Sequence, residues 1–328
     1  MRPTAKIQTE AAHTPGKPGR ALYLTGIALV AVYLFWGGTY LGMKVAVESM
    51  PPFLMAGARF FSAGVVLYIL SRLGGARRPM LKEWRSAAIV GALLLLGGNG
   101  VVAWAEQRVS SSVASLIVAA VPVWMLLIGW LGRGGKRPGA GVIAGIVLGF
   151  LGIAVLVLQP GQGSGSGQSF DIIGIIALLT ASISWAAGSM YSRSARLPGS
   201  PLMSTAVQML TGGVLLMIFS VFTGDWGQLN IAQITGRSYL AFGYLVVFGS
   251  VIGYTAYIWL LKNAEPTLVS TYAFVNPVVA VLLGWLLAGE QLTAGTWISA
   301  VIIIASVAVV TVFRSRPVKV QDSNSSNA

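Results

Sequence analysis

Long apolar segments recur along the chain, and short stretches rich in polar and charged residues separate them. A helix needs about 20 apolar residues to cross the hydrocarbon core of a bilayer. Ten segments meet this requirement, at approximately residues 22–46, 52–71, 86–106, 112–131, 140–158, 172–192, 201–222, 238–261, 267–287 and 295–313. The pattern therefore predicts an all-α polytopic membrane protein in which each of these segments is a transmembrane helix.

The composition is that of a protein whose surface faces lipid. Hydrophobic residues make up 55% of the chain and charged residues only 9%, whereas soluble domains carry about 25% charged residues. So few charges cannot cover a water-facing surface. Glycine accounts for 41 of the 328 residues, and inside apolar segments it favours closely packed membrane helices. The lipid bilayer is therefore the first expected partner.

The formal charge of +13 comes from basic residues that lie between the apolar segments. They do not form one face, so no nucleic-acid partner is expected. With the N-terminus inside, 18 of the 22 basic residues fall on the inner side, and only Arg108 and Arg237 fall on the outer side. Lys44 and Arg59 lie within or near the membrane. Because basic residues collect in cytoplasmic loops, both termini are predicted to be cytoplasmic.

The two halves of the sequence match each other. A shift of 149 residues pairs Trp36 with Trp185, Lys44 with Arg193, Gly64 with Gly213, and Arg59 with Gln208. A shift of 155 residues pairs Gly98 with Gly253 and Pro122 with Pro277. Each half holds five predicted helices, an odd number, so the second half must enter the membrane upside down. This 5+5 inverted repeat is typical of secondary transporters.

The predicted organisation has an uncleaved first helix, because no small-residue cleavage pattern follows the first apolar segment. The parts are a cytoplasmic tail at 1–21, a first repeat at 22–158, a Gly/Ser-rich outer linker at 159–170, a second repeat at 171–313 and a cytoplasmic tail at 314–328.

Several kinds of chemistry are excluded. The chain has no cysteine, and its single histidine, His13, lies in the N-terminal tail. Thiolate and histidine metal sites are therefore not expected, and no cofactor is expected. No Walker, HExxH or GxSxG motif occurs, which argues against direct ATP use and against an enzyme with catalytic residues in the membrane.

Short motifs stand out in both halves. They are WGGTYLGMK at 36–44, AGARF at 56–60, SSVASL ahead of Pro122, and LVSTY ahead of Pro277. Together they resemble the drug/metabolite transporter superfamily and, more narrowly, its EamA exporter family, over roughly residues 24–313. The resemblance implies ten helices, a central cavity, alternating access and a place in the bacterial plasma (inner) membrane. Members of this family move amino acids, metabolites and drugs.

One motif departs from the family pattern. Many EamA repeats carry a Gly-Glu pair after the fourth helix of each half. The second half has Gly289-Glu290, but the first half has Gly135-Lys136, so a role that needs both glutamates is in doubt.

Helical spacing places aromatic and basic residues on one face of the first and sixth segments. Trp36, Tyr40 and Lys44 share a face of the first segment, and Trp185 and Arg193 hold the matching places in the sixth. Either these faces line a cavity and Lys44 and Arg193 gate it, or the aromatics pack in the bundle and the basic groups reach the two membrane surfaces.

Arg59 lies about eight residues inside the second segment. A charge at that depth is costly and usually faces protein or water. It is predicted either to bind an anionic or zwitterionic substrate or to hold helices together, for example through Glu48.

Asn99 and Glu106 share a face of the third segment. Glu106 ends the span, and two interpretations remain open. It accepts and releases a transported proton, or it is a solvated residue that pairs with Arg108 or caps the fourth helix.

The matched prolines mark a candidate transport site. Pro122 and Pro277 are each predicted to interrupt a helix near its middle, where each removes a backbone donor and frees a carbonyl four residues earlier, at Val118 and Ala273. Breaks at matching places point to a binding site. Simple kinks are the alternative. The polar side chains expected near this site are Tyr254, Tyr257, Tyr272 and Asn276.

The sequence thus predicts a secondary transporter that exports a small-molecule substrate, namely a metabolite, an amino acid or a drug, with a membrane channel or an intramembrane enzyme as alternatives. A glycine stripe at Gly141, Gly145 and Gly149 suits close helix contact, either within the chain or in a homodimer.

Overall fold

A computed structural model describes residues 18–131, 139–157, 171–264, 266–269, 271–290 and 292–314. The linker at 159–170, the Gly135-Lys136 pair and most of both tails lie outside these residues. The described part of the chain contains helices and no strand.

Ten helices are numbered here in chain order. They are α1 Leu22–Ala46, α2 Pro52–Leu73, α3 Leu81–Ala105, α4 Ser111–Leu131, α5 Ala140–Val157, α6 Ile172–Ser194, α7 Pro201–Phe222, α8 Gly236–Asn263, α9 Tyr272–Ala288 and α10 Ala294–Arg314. By length and composition, seven of the described helices can cross a membrane, and α5, α9 and α10 are apolar over shorter stretches.

The start of α3 differs from the prediction, which placed it at residue 86. The helix begins at Leu81 because a polar first turn is capped by Glu83, whose Oε2 accepts a hydrogen bond of 2.7 Å from Met80 N. Arg77 also binds the Glu83 carboxylate. A charged turn that is capped in this way extends a helix beyond its apolar part.

The second and seventh helices pack on each other in a reciprocal way. A Cβ added to Gly64 would lie 2.8 Å from Leu210 N, and one added to Gly213 would lie 2.6 Å from Phe61 N. The shift of 149 residues that pairs the two glycines also pairs Phe61 with Leu210. The shift thus converts the contact of Gly64 with Leu210 into the contact of Gly213 with Phe61. A twofold relation between the halves requires such a pair of equivalent contacts.

The glycine stripe of α5 packs against α10 of the same chain. A Cβ on Gly141, Gly145 or Gly149 would meet Phe313, Val310 or Ser306. Ser306 Oγ also donates a hydrogen bond of 2.7 Å to Gly145 O. The glycine stripe therefore packs within the chain. A homodimer stays a prediction, but the stripe no longer supports it.

Wide helical turns occur at corresponding places in the two halves. Residues Ala92–Gly100 of α3 and Leu245–Tyr254 of α8 form π-helix, as do Val32–Trp36 of α1. The 155-residue shift nearly superposes the first two segments. π-Helix is rare in proteins overall, but where it occurs it is frequently at a functional site. These segments therefore point to the middle of the bundle as a candidate site.

A helix break accompanies Pro122 but not Pro277, so the break that was predicted at Pro277 is wrong. In α4, the helix stops at Val118 and resumes at Val121, immediately before Pro122. A short helix at Pro266–Val269 precedes α9, and Pro277 itself lies within continuous helix. The interruption in the second half thus comes before the proline, at the start of α9.

Candidate functional site

A cavity lies in the middle of the bundle between α1, α2, α3, α4, α6, α8 and α9. Its volume is about 60 Å³. The space is therefore narrow. Eight of the predicted site residues line it: Trp36, Tyr40, Arg59, Asn99, Trp185, Tyr254, Tyr272 and Asn276.

The other predicted residues lie elsewhere. Tyr257 stands behind the lining, where its hydroxyl is 2.9 Å from Ser189 Oγ. Pro122 and Pro277 are not among the described lining residues. Val118, whose carbonyl Pro122 was expected to free, lines the cavity.

Sequence reasoning missed lining residues that carry little chemistry of their own. They are Thr39, Met43, Phe60, Gly98, Val102, Ala181 and Gly249. For Thr39 and Met43, the face shared with Trp36 and Tyr40 was a usable signal. For Gly249, no feature of the sequence distinguished it from the other glycines.

Trp36 is the centre of an aromatic cluster at the cavity. Its ring centroid lies 5.5 Å from that of Trp185, 4.7 Å from Tyr257 and 5.7 Å from Tyr272. The contacts with Trp185 and Tyr272 are edge-to-face, the arrangement that aromatic pairs prefer. Because Trp36 and Trp185 match in the repeat, their contact lies where the two halves meet.

Each of these tryptophans packs against a glycine of the opposite half. A Cβ on Gly253 would lie 2.7 Å from Trp36 Cδ1 and Nε1, and one on Gly98 would lie 2.8 Å from Trp185 Cε3. Both glycines belong to the π-helical segments of α8 and α3. We call these two contacts the tryptophan seats. They are reciprocal, because the repeat pairs Trp36 with Trp185 and Gly98 with Gly253.

Arg59 is buried in the cavity wall, with 3% of its surface exposed. Its Nε donates a hydrogen bond of 2.8 Å to Ser250 Oγ. A Cβ on Gly249 would lie 2.8 Å from Arg59 Nη2, so the bare backbone there leaves room for the guanidinium. No described carboxylate forms an ion pair with Arg59; in particular, the suggested pairing with Glu48 is not observed.

Gln208, the repeat counterpart of Arg59, has a different role. Its Oε1 accepts a hydrogen bond of 3.0 Å from Tyr254 OH, and its Nε2 donates one of 3.1 Å to Ser204 Oγ. Both ends of the amide are thus occupied by protein groups. The site therefore has a cation on one side only.

Two buried polar atoms of the lining residues have no hydrogen-bond partner among the described residues. They are Asn276 Oδ1 and Trp185 Nε1. Asn276 is 4% exposed. The indole of Trp36, by contrast, donates a hydrogen bond of 3.0 Å to Gly249 O. Unpaired buried polar groups are costly, so these atoms are candidates for contact with a ligand.

Glu106 is fully buried just outside the cavity, and neither carboxylate oxygen has a hydrogen-bond partner in the described part of the chain. Both structural alternatives for this residue are wrong. Arg108 pairs with Asp171, at 2.8 Å, and this hydrogen bond is the main reason why the pKa of Asp171 lies below its usual value. The first turn of α4 is capped by other residues.

Glu290 caps α4 and ties it to the end of α9. Its Oε1 accepts hydrogen bonds from Ser111 N and Oγ, at 2.9 and 2.6 Å, and its Oε2 accepts from Ser112 N, at 3.2 Å, and from Ser112 Oγ. Carboxylates are favoured at helix N-termini. The sequence analysis did not foresee this partner of Glu290.

The two candidate gating residues differ. Lys44 Nζ donates hydrogen bonds to Glu106 O and Val109 O, at 2.6 and 3.1 Å, which ties α1 to the turn after α3. Its counterpart Arg193 is exposed, and no hydrogen bond joins it to another described residue. The two ends of the bundle are therefore not equivalent.

Comparisons with known proteins agree with this architecture. The model of the EamA-like transporter family matches residues 24–158 and 172–312. The chain is 41% identical to a protein named "Uncharacterized inner membrane transporter YedA" from Escherichia coli, over 91% of this chain and 96% of that one. It is 26% identical to "Uncharacterized transporter YvbV" from Bacillus subtilis, over 87% and 91% of the two chains.

A solved crystal structure has a similar fold, with a TM-score of 0.60 and 20% identity over 90% of this chain and 98% of that chain. At this identity the likeness concerns the fold alone.

Proposed function

We propose that this chain, which belongs to the EamA-like transporter family, is a ten-helix carrier whose two inverted halves move a small molecule by alternating access. The observation that carries the proposal is the central cavity. Residues of both halves line it, and the repeat counterparts Trp36 and Trp185 contact each other there. Sites of inverted-repeat transporters lie between the repeats near the midplane. The tryptophan seats support the same arrangement, since each joins one half to the other.

The test is counterflow in proteoliposomes. The purified protein is reconstituted and screened against a panel of metabolites, amino acids and drugs. Saturable exchange of labelled for unlabelled compound supports the carrier. Continuous current without saturation would favour a channel, and chemical conversion of a compound would favour an intramembrane enzyme.

The expected orientation places both termini in the cytoplasm of a bacterium and the end of the bundle that holds Glu106 and Glu290 outside. The support is the distribution of basic residues. In this orientation an exporter binds its substrate from the inner side and releases it toward Glu106.

The orientation leads to a labelling prediction. A Ser164→Cys variant is expected to react with an impermeant thiol reagent from outside, because residue 164 lies in the linker between the halves. The natural chain has no cysteine, so the unmodified protein is the blank. Reaction only after the membrane is permeabilised would reverse the orientation.

The difference between Lys44 and Arg193 supports alternation. In the access state of the structure, Lys44 closes the end of the bundle near Glu106. In the opposite state Lys44 is released, and Arg193 ties α6 to the end of α8. This exchange of partners follows from the repeat. Lys44 binds the carbonyl oxygen of Val109, and the 155-residue shift pairs Val109 with Ala264, where α8 ends.

This exchange predicts a change in accessibility. In a Val102→Cys background, Lys44→Met is expected to raise cavity labelling from outside by roughly tenfold or more, because hydrogen bonds from a charged group contribute about 1.5–3 kcal/mol. Val102 lines the cavity. Arg193→Met is the matched control and is expected to give no such rise. Equal labelling with and without Lys44→Met would show that Lys44 does not gate.

A further inference from the structure

We infer that the cavity selects small monoanions that carry a flat apolar group, the class of aromatic monocarboxylates, over zwitterions and cations. The inference rests on the proposed carrier function and names the substrate class of the same cavity. It depends on which charges face the cavity, on the shape of the walls and on the unpaired polar atoms.

The charge that faces the cavity is positive. Arg59 is the one charged side chain among the described lining residues. It is buried, and no described carboxylate pairs with it. A buried charge without a counterion is costly, and intramembrane arginines usually find a partner. An anionic substrate supplies that partner through a charge-assisted hydrogen bond with the guanidinium.

No negative charge in the lining offsets this preference. Glu106 interacts electrostatically with Arg59 and Lys44, but it is fully buried and lies behind the lining. Lys44 directs its ammonium to carbonyl oxygens outside the cavity. An ammonium group on a substrate would therefore lose its water without meeting a carboxylate, which is unfavourable. The described lining therefore favours monoanions over zwitterions, a choice that the sequence alone left open.

The walls favour a flat apolar group. Trp36 contacts Trp185 and Tyr272 edge-to-face, and the space that these rings border is narrow. A planar ring on the substrate can make contacts of the same kind, which stabilise it beyond the burial of its surface.

The unpaired Asn276 Oδ1 adds a hydrogen-bond acceptor to the same cavity. A hydroxyl group or N–H on the ring of the substrate satisfies it. A hydroxylated aromatic monocarboxylate is therefore expected to bind more tightly than the unsubstituted compound.

Three probes with the same ring and the same two-carbon chain test the charge preference: 3-phenylpropanoate, phenylalanine and phenethylamine. Binding to the purified protein in nanodiscs is measured by calorimetry and by quenching of tryptophan fluorescence. We expect 3-phenylpropanoate to bind about tenfold or more tightly than phenylalanine. Both carboxylates can pair with Arg59, but the ammonium of phenylalanine loses its water without meeting a carboxylate among the described lining residues. Phenethylamine is expected to bind most weakly.

Variants assign the preference to Arg59. Arg59→Gln is expected to remove the advantage of 3-phenylpropanoate over phenethylamine, which has no carboxylate to pair with Arg59. Arg59→Lys is expected to keep the sign of this difference with lower affinity. Arg108→Gln removes an arginine outside the cavity and is expected to leave the order unchanged. Tighter binding of phenylalanine or phenethylamine, or an unchanged order in Arg59→Gln, overturns the inference.

Failure of the inference and failure of the carrier proposal are distinguishable. Saturable counterflow of other compounds, without binding of 3-phenylpropanoate, overturns the inferred substrate class but supports the proposal that the protein is a carrier. The expected order of binding, without counterflow of any probe or panel compound, overturns the carrier and supports the selectivity of the cavity.

Discussion

Replacing Glu106 by glutamine is expected to abolish transport driven by a pH gradient while leaving substrate exchange intact. The carboxylate is fully buried, and no described residue donates a hydrogen bond to it. An ionised carboxylate is costly in such a place, so burial of Glu106 in one access state and its exposure in the other require a proton to move. Glutamine keeps the shape and removes the proton, and exchange needs no net proton movement.

The groups that act on Glu106 come from several elements. They are Tyr40 and Lys44 of α1, Arg59 of α2 and Glu290 after α9. An anionic substrate that pairs with Arg59 changes the balance of charge around Glu106, which gives a direct route from substrate binding to proton binding. The order in which the two bind is therefore expected to matter.

The measurement compares pH-driven uptake with equimolar counterflow in the same liposomes. Glu48→Gln is the matched control, because Glu48 is an exposed carboxylate near the same end of the bundle, and both activities should persist. Retained pH-driven accumulation in Glu106→Gln would move coupling to another group or show a uniporter. Loss of both activities would assign Glu106 a structural role.

Alanine at Gly253 or at Gly98 is expected to reduce transport by roughly tenfold or more. Each new Cβ would lie under 3 Å from the ring of Trp36 or Trp185, and an overpacked site costs about 1–3 kcal/mol. The ring must then move into the narrow cavity or separate the halves. The reciprocal geometry predicts effects of similar size at the two positions.

Transport rates and tryptophan fluorescence of well-expressed variants provide the test. Gly243→Ala is the control within α8, because no atom lies within 4 Å of a Cβ at that position. Wild-type rates in Gly98→Ala and Gly253→Ala would show that the seats do not control the cavity. A loss of transport without a change in fluorescence would place the effect away from the tryptophans.

Much of the cavity could be predicted because two independent patterns agreed. Trp36 and Tyr40 share a helical face, and the repeat transfers Trp36 to Trp185. Arg59 was conspicuous because a charge at that depth is rare. Gly98 and Gly253 were visible only as matched glycines, and their contact with the tryptophans was not foreseen. A reactive or charged side chain can be recognised in a sequence by its chemistry. A glycine acts here through the space left by its missing side chain, which depends on what packs against it.

The partners of the charged residues could not be predicted. Lys44 binds two carbonyl oxygens, and Glu290 binds a helix start far away in the sequence. Backbone groups at helix ends are strong partners, but residue identities do not show which of them are free or near. The pairing of Arg108 with Asp171, rather than with Glu106, likewise depends on how α3 and α6 approach each other.

The sequence by itself determined that this protein lies in a membrane, which segments are helical and which residues of the halves correspond. These properties depend on the length of apolar segments and on local periodicity, and both can be counted along a single chain. Only the tertiary structure decided that the tryptophans meet, that Arg59 faces the cavity with no described carboxylate to pair with, and that buried Glu106 has no hydrogen-bond partner for its carboxylate among the described residues. Those outcomes depend on the packing of helices distant in the sequence, where differences of an ångström decide whether two groups bond, clash or leave a space.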